Sequence, residues 1–274
     1  MPPLADLLMF AALLIVAGGV AGLLAGVFGI GGGAVLVPVF YQVFGYAGIP
    51  DEIIMHLAVG TSTAIIVPTS IRSFKAHQAR GAVDMDLLKG WLIAVPLGAV
   101  LATVVAAYVS SEGLRLIFAV MALLLAARML FLTNRFHLGT DLPGQPARFI
   151  TGSVIGLFSG LMGIGGGVFN NTFMTLYGRP IHQAVATSSG VGVLISIPAL
   201  VGFVIAGWGE GGLPAFSTGY VNWIAFALII PIAMVVTPYG AKLAHALSKR
   251  QLETGFAVFL LFVSARFFWS LFGG

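Results

Sequence analysis

The sequence predicts an all-α, polytopic membrane protein of two inverted-topology repeats, each a glycine-broken helical hairpin plus three transmembrane helices. Three observations carry this. Of 274 residues, 59% are hydrophobic and 8% charged, with a mean hydropathy of +1.05, whereas soluble domains carry about 25% charged residues. The chain also repeats itself. "GIGGG" at 29–33 returns at 163–167, an offset of 134, with Gly22 and Gly26 matching Gly156 and Gly160. "HLAVGTSTAI" from His56 aligns with "HQAVATSSGV" from His182, and "FAVMALLLAAR" ending at Arg128 aligns with "FAVFLLFVSAR" ending at Arg266. Finally, the Lys and Arg residues gather in alternate gaps between apolar runs, as cytoplasmic loops of membrane proteins do.

Each element follows in order. The first repeat, 1–138, opens with a hairpin over 4–46 and continues with spans at 53–76, 88–109 and 114–132. Residues 139–147 form a cytoplasmic linker. The second repeat, 148–274, has its hairpin over 148–178 and spans at 183–207, 221–243 and 252–272. The spans are of a length to cross a hydrocarbon core of about 30 Å. The arms of the second hairpin, at roughly 15 residues and 22 Å each, reach only mid-depth. Arg72, Lys75, Arg80 and Lys89 place the gap after 53–76 in the cytoplasm. Arg128, Arg135, Arg148 and Arg179 do the same for the linker and the second hairpin's ends, and Lys242, Lys249 and Arg250 for the last gap. Both termini are then outside, and of 13 basic residues only Arg115 and Arg266 lie on that side. Span 53–76 runs inward and span 183–207 outward, so the halves are inverted. The N-terminal apolar run has no Lys or Arg before Arg72, so it lacks the basic start of a secretory signal.

Three consecutive glycines exceed what close helix packing requires, whereas Gly18, Gly22, Gly152 and Gly156 have the four-residue spacing that such packing uses. A helix broken within the membrane leaves amides that only a buried or wet site tolerates. The helix restarting after the break aims free N–H groups and a positive dipole end at that site. Two inverted breaks would aim two helix N-termini at one anion. The candidate binding residues are Gly31, Gly32, Gly33, Gly165, Gly166 and Gly167, with Thr61, Ser62, Asn170, Asn171, Thr187 and Ser188 as neutral side-chain partners. His56 and His182, each five residues before a Thr-Ser pair, are candidates for proton coupling.

Several classes are excluded. No Asp or Glu lies deep in a span, so no metal site is expected, and the absence of cysteine removes thiolate chemistry. "GIGGGA" fits a dinucleotide fingerprint in letters but follows no soluble strand, so no cofactor is expected. The +4 charge belongs to cytoplasmic loops facing the bilayer, with no nucleic-acid partner implied.

The duplicated glycine motif, each copy followed by a Thr-Ser element, resembles the sulfite exporter TauE/SafE family over essentially the whole chain. Pro38, after the first glycine run, fits the family pattern, while Thr172 stands at the shifted position in the second copy. The resemblance implies a multi-pass carrier in a bacterial-type inner membrane. Its substrate would be a small sulfur oxyanion such as sulfite or an organosulfonate like sulfoacetate, and its direction export. The expected protein is not an enzyme. An anion channel remains an alternative, and an intramembrane enzyme using Ser62 near His56 another, although no nucleophile elbow is present.

Overall fold

The computed structural model describes residues 12, 14–16, 18–23, 33–131, 138–139, 141–246 and 248–273. Gly31, Gly32 and the start of the first hairpin lie outside the described residues. After helical residues 14–16 and 18–23 come α1 (Gly33–Tyr46), α2 (Asp51–Gln78), α3 (Met85–Gly90), α4 (Ala94–Tyr108) and α5 (Ser111–Phe131). Then follow α6 (Ala147–Leu161), α7 (Gly167–Leu176), α8 (Ile181–Ala206), a two-residue hairpin of β1 (Ser217–Thr218) and β2 (Val221–Asn222), α9 (Trp223–Ala246) and α10 (Lys249–Phe272).

Among the described residues, four helices are long and apolar enough to cross a membrane: α2, α5, α8 and the 253–272 part of α10. The chain is a polytopic all-α membrane protein. Its large apolar side chains point outward as well as inward, with Ile93, Leu97, Leu124, Val201 and Phe262 exposed, which suits hydrocarbon rather than water. Exposed aromatics sit at helix ends: Tyr46, Tyr108, Trp208 and Trp269, the placement favoured at the headgroup level.

Local chemistry sets the helix ends. Asp51 and Glu52 in the first turn of α2 and Lys75 in its last turn complement its macrodipole. Ser248 and Gln251 form a reciprocal capping box at the start of α10, an arrangement worth about 1 kcal/mol. The apolar run 88–109 is not one helix: a turn at 91–93 separates α3 from α4. The turn brings the fully buried Trp91 indole to the Arg148 carbonyl at 2.8 Å, which satisfies the indole N–H away from water.

Helix α2 lies in the middle, with 83% of its membrane-length window buried against 39% for α8. It packs on α8, α1, α5 and α9, while α5 packs on α10 and α4 on α6. The α4–α6 contact is backbone to backbone. A Cβ on Gly156 would overlap Val95 O, one on Gly98 would overlap Ser153 O, and one on Gly160 would come 2.6 Å from the Ala102 methyl. On the other side of the molecule, Gly22 meets Ala233 of α9, with 2.8 Å from its Cβ position to Cα. Gly22 and Gly156 are 134 residues apart, and so are Ala233 and Ala99, the residue whose amide Gly156 also meets.

Candidate functional site

The site is built at the break between α6 and α7. The chain leaves α6 at Met162, and the Ile164 amide closes back onto Ser159 O at 2.9 Å. Gly163 (φ 61°) and Gly166 (φ 71°) take left-handed conformations, which a side chain disfavours and glycine does not. Gly166 caps α7, its carbonyl accepting the Asn170 amide at 2.9 Å. Among the described residues, nothing accepts from the amides of residues 165–169. Residues 161–168 are all buried. Ser159 Oγ, also buried and without a partner, lies 3.6 Å from the Cβ position of Gly166. Buried amides and hydroxyls are almost always hydrogen-bonded. A row of free donors at a positive helix end is therefore suited to an anion.

Both halves of the chain converge here. A Cβ on Gly33, the first residue of α1, would overlap Gly163 O and come 2.8 Å from Ile164 Cα, so the end of the first glycine run abuts the second break. Ser62 of α2 donates to Gly163 O at 2.9 Å. From α2 and α8, Ile66 and Gly192 lie against Gly165.

One turn into α7, Asn170 Nδ2 donates to Ser188 Oγ (2.7 Å) and Ala184 O (3.3 Å), and Ser188 Oγ donates to Asn171 Oδ1 (2.7 Å). The Ala184 carbonyl requires the amide nitrogen on its side, so Asn170 Oδ1 is left buried without a partner. Thus Gly33, Ser62, Gly165, Gly166, Gly167, Asn170, Asn171 and Ser188 form one neighbourhood.

Thr61 and Thr187 are directed elsewhere. Thr61 Oγ1 accepts the Asn222 amide (3.0 Å) and Thr187 Oγ1 the Asp84 amide (2.8 Å). Asn222 and Asp84 in turn accept from Ala225 N (2.9 Å) and Leu87 N (3.0 Å) at the next helix starts. Each threonine anchors a loop from the far side of its helix.

The two histidines also part company. His56 is buried, with Nε2 2.9 Å from Ala106 O and 3.0 Å from Val109 O and its ring stacked on Tyr220 at 4.8 Å. Two carbonyls at Nε2 identify it as the protonated nitrogen. His182 is exposed. Residue types alone did not single out Arg128, whose guanidinium reaches Thr172 Oγ1 of α7 at 2.8 Å. The available signal was its place at the end of a repeated segment. Nor did they single out Ser159, whose only mark was its position four residues before Gly163.

Residues 14–267 match the model of the family described as sulfite exporter TauE/SafE. The chain belongs to this family. It is 32% identical over 259 residues to a probable membrane transporter protein of Haemophilus influenzae, covering 94% of this chain and 98% of that one. A probable membrane transporter protein of Methanocaldococcus jannaschii is 30% identical, with 90% and 91% covered. Another, from Bacillus subtilis, is 25% identical, with 87% and 88% covered. No solved structure matches the chain. Membership of the TauE/SafE family, together with the apolar helices, makes the chain a membrane transporter of the TauE/SafE type.

Proposed function

We propose that the chain is a secondary carrier that exports a small sulfur oxyanion, such as sulfite or sulfoacetate. The anion is held at mid-membrane by the N-terminus of α7 and its counterpart at the start of α1. The observation that carries this is the row of buried amides at 165–168, unpartnered among the described residues, beside the free Ser159 hydroxyl. Neutral Ser62, Ser188 and the asparagines lie close by without placing an opposite charge next to the ligand. The two repeats run inversely through the membrane. The matching pairs Gly22–Ala233 and Gly156–Ala99, and the matching Thr61–Asn222 and Thr187–Asp84 hydrogen bonds, support that reading. Efflux of an anion is favoured by an inside-negative potential by about 2.3 kcal/mol per charge at 100 mV. The test is a panel of labelled sulfur anions in proteoliposomes. Saturable uptake with counterflow is expected for at least one, flux without counterflow would indicate a channel, and no flux of any sulfur anion would overturn the reading.

Topology is tested by single cysteines at positions 3, 140 and 273 of this cysteine-free chain. An impermeant thiol reagent applied to intact cells is expected to label 3 and 273 and to spare 140. The reverse pattern removes the inversion.

Of the two histidines, His56 is retained as the proton-responsive group, because its ring ties α2 to the end of α4 and to Tyr220. The variant H56Q is expected to flatten the pH dependence of transport. H182Q is expected to leave the profile as in wild type. A wild-type profile in H56Q discards the assignment.

A further inference from the structure

A cleft of about 600 Å³ opens at one end of the molecule, with Asp84, Asp86, Arg148, Arg179 and Gln183 among its lining residues. This is the end that the charge distribution assigns to the cytoplasm. We propose that the cleft is an anion-loading site, in which Arg148 and Arg179 hold a small oxyanion before it enters the glycine break. The proposal rests on reading the chain as a carrier of sulfur oxyanions and adds a second, surface station to it.

Both guanidiniums are positioned and left with free donors. Arg179 follows the end of α7, its amide fixed on Met174 O at 3.0 Å, and its Nε is buried without a partner. The nearest carboxylate, Asp141, is 3.9 Å away and 89% exposed, a loose contact that water screens. Arg148 donates Nε–H to Pro143 O at 3.2 Å, and its backbone carbonyl is held by the Trp91 indole at 2.8 Å. Its terminal nitrogens have no partner among the described residues. Among the described residues, neither carboxylate lining the cleft, Asp84 or Asp86, pairs with either arginine. Asp84 is turned onto the Leu87 amide at 3.0 Å, and Asp86 is exposed at the rim. Planar guanidiniums with free N–H groups match the oxygens of sulfite, sulfonate or carboxylate.

The cleft wall is also hydrogen-bonded to α8, the helix that carries Ser188. The Asp84 amide on its wall is held by Thr187, and the next residue, Ser188, is bonded to Asn170 and Asn171. The matching loop of the second repeat packs tightly on α2. Tyr220, which stands 138 residues after Ala82, is buried and stacked on His56. Its carbonyl occupies the place where Gly60 would carry a Cβ. The cleft's volume of about 600 Å³ is in the range of ligand sites, about 300–1,000 Å³.

The test uses the full chain in sided vesicles, with labelled sulfite and sulfoacetate as probes at constant ionic strength. In R148Q, R179Q and the double variant, the apparent KM for anion presented at the cleft face is expected to rise, roughly tenfold in the double, as charge-assisted hydrogen bonds to the anion are lost. KM from the opposite face and the maximal rate should stay as in wild type, and R148K with R179K should recover part of the loss. An unchanged KM at the cleft face, or an equal rise at both faces, overturns the loading site while leaving the central site standing. In detergent, G166A is expected to retain weak sulfite binding that is lost when R148Q and R179Q are added to it. No residual binding in G166A counts against the cleft. Wild-type protein that neither binds nor moves either anion overturns the proposed function itself, and the cleft's ligand with it.

Discussion

Replacing Gly166 with alanine is expected to weaken binding of the transported anion roughly 10- to 150-fold, the loss of one hydrogen bond to a charged group. Gly166 sits at φ 71°, a left-handed conformation that disfavours an L side chain by about 1–2 kcal/mol. An added methyl would also come 2.6 Å from Ile195 Cδ1 and 3.0 Å from Val191 Cγ1. The chain is therefore expected to draw the 163–167 turn toward helix and swing the free amides off the ligand. A parallel variant separates ligand effects from folding. Ser159 Oγ is buried with no partner, so S159A removes an unsatisfied group and should leave stability equal or up to about 1 kcal/mol higher. The same variant should weaken anion binding by about tenfold or more, the lower end for loss of a hydrogen bond to a charged group. Titration calorimetry with sulfite and thermal melting of the purified proteins measure both. Wild-type affinity in both variants would remove the anion cradle from the α6–α7 break.

Substituting valine for Gly22 or Gly156 is expected to destabilise the assembled molecule by roughly 3 kcal/mol, at the upper end for overpacked contacts. Gly22 approaches the backbone of Ala233, and Gly156 the backbone of Val95 and Ala99, and a main chain has no rotamer to yield. Gly19, three residues from Gly22, has nothing among the described residues within 4 Å of its Cβ position, so G19V serves as the control. Thermal unfolding in detergent and the monodisperse fraction after purification report the difference. If G22V and G156V melt like G19V, these contacts do not hold the helices together.

The membrane class was legible because it depends on composition and run length, which any continuous apolar segment displays. The glycine break was legible as well, since three consecutive glycines inside an apolar run conflict with helix propensity. The direction of each polar side chain was not. Thr61 and Ser62 are adjacent in a helix apolar on every side, so no polar face marks which of them looks at the break. Neighbouring residues on a helix point about 100° apart, and here Ser62 reaches Gly163 O while Thr61 reaches the Asn222 amide. His56 and His182 occupy matching places in two related segments, yet only His56 has a tyrosine stacked on it, because position 220 is tyrosine where position 82 is alanine.

Hydropathy, glycine spacing and the duplicated Thr-Ser element are local properties, and alone they established a polytopic helical membrane protein and carried its resemblance to the TauE/SafE family. Tertiary structure decided what depends on residues distant along the chain. It placed Gly33 against Gly163 and Arg128 on Thr172, gave Thr187 to Asp84, and opened the cleft beside Arg148 and Arg179. The physical reason is that a membrane helix is surrounded by apolar matter on every side. Its sequence pattern therefore encodes that it spans, while the partners of its few polar groups are chosen only when the helices pack.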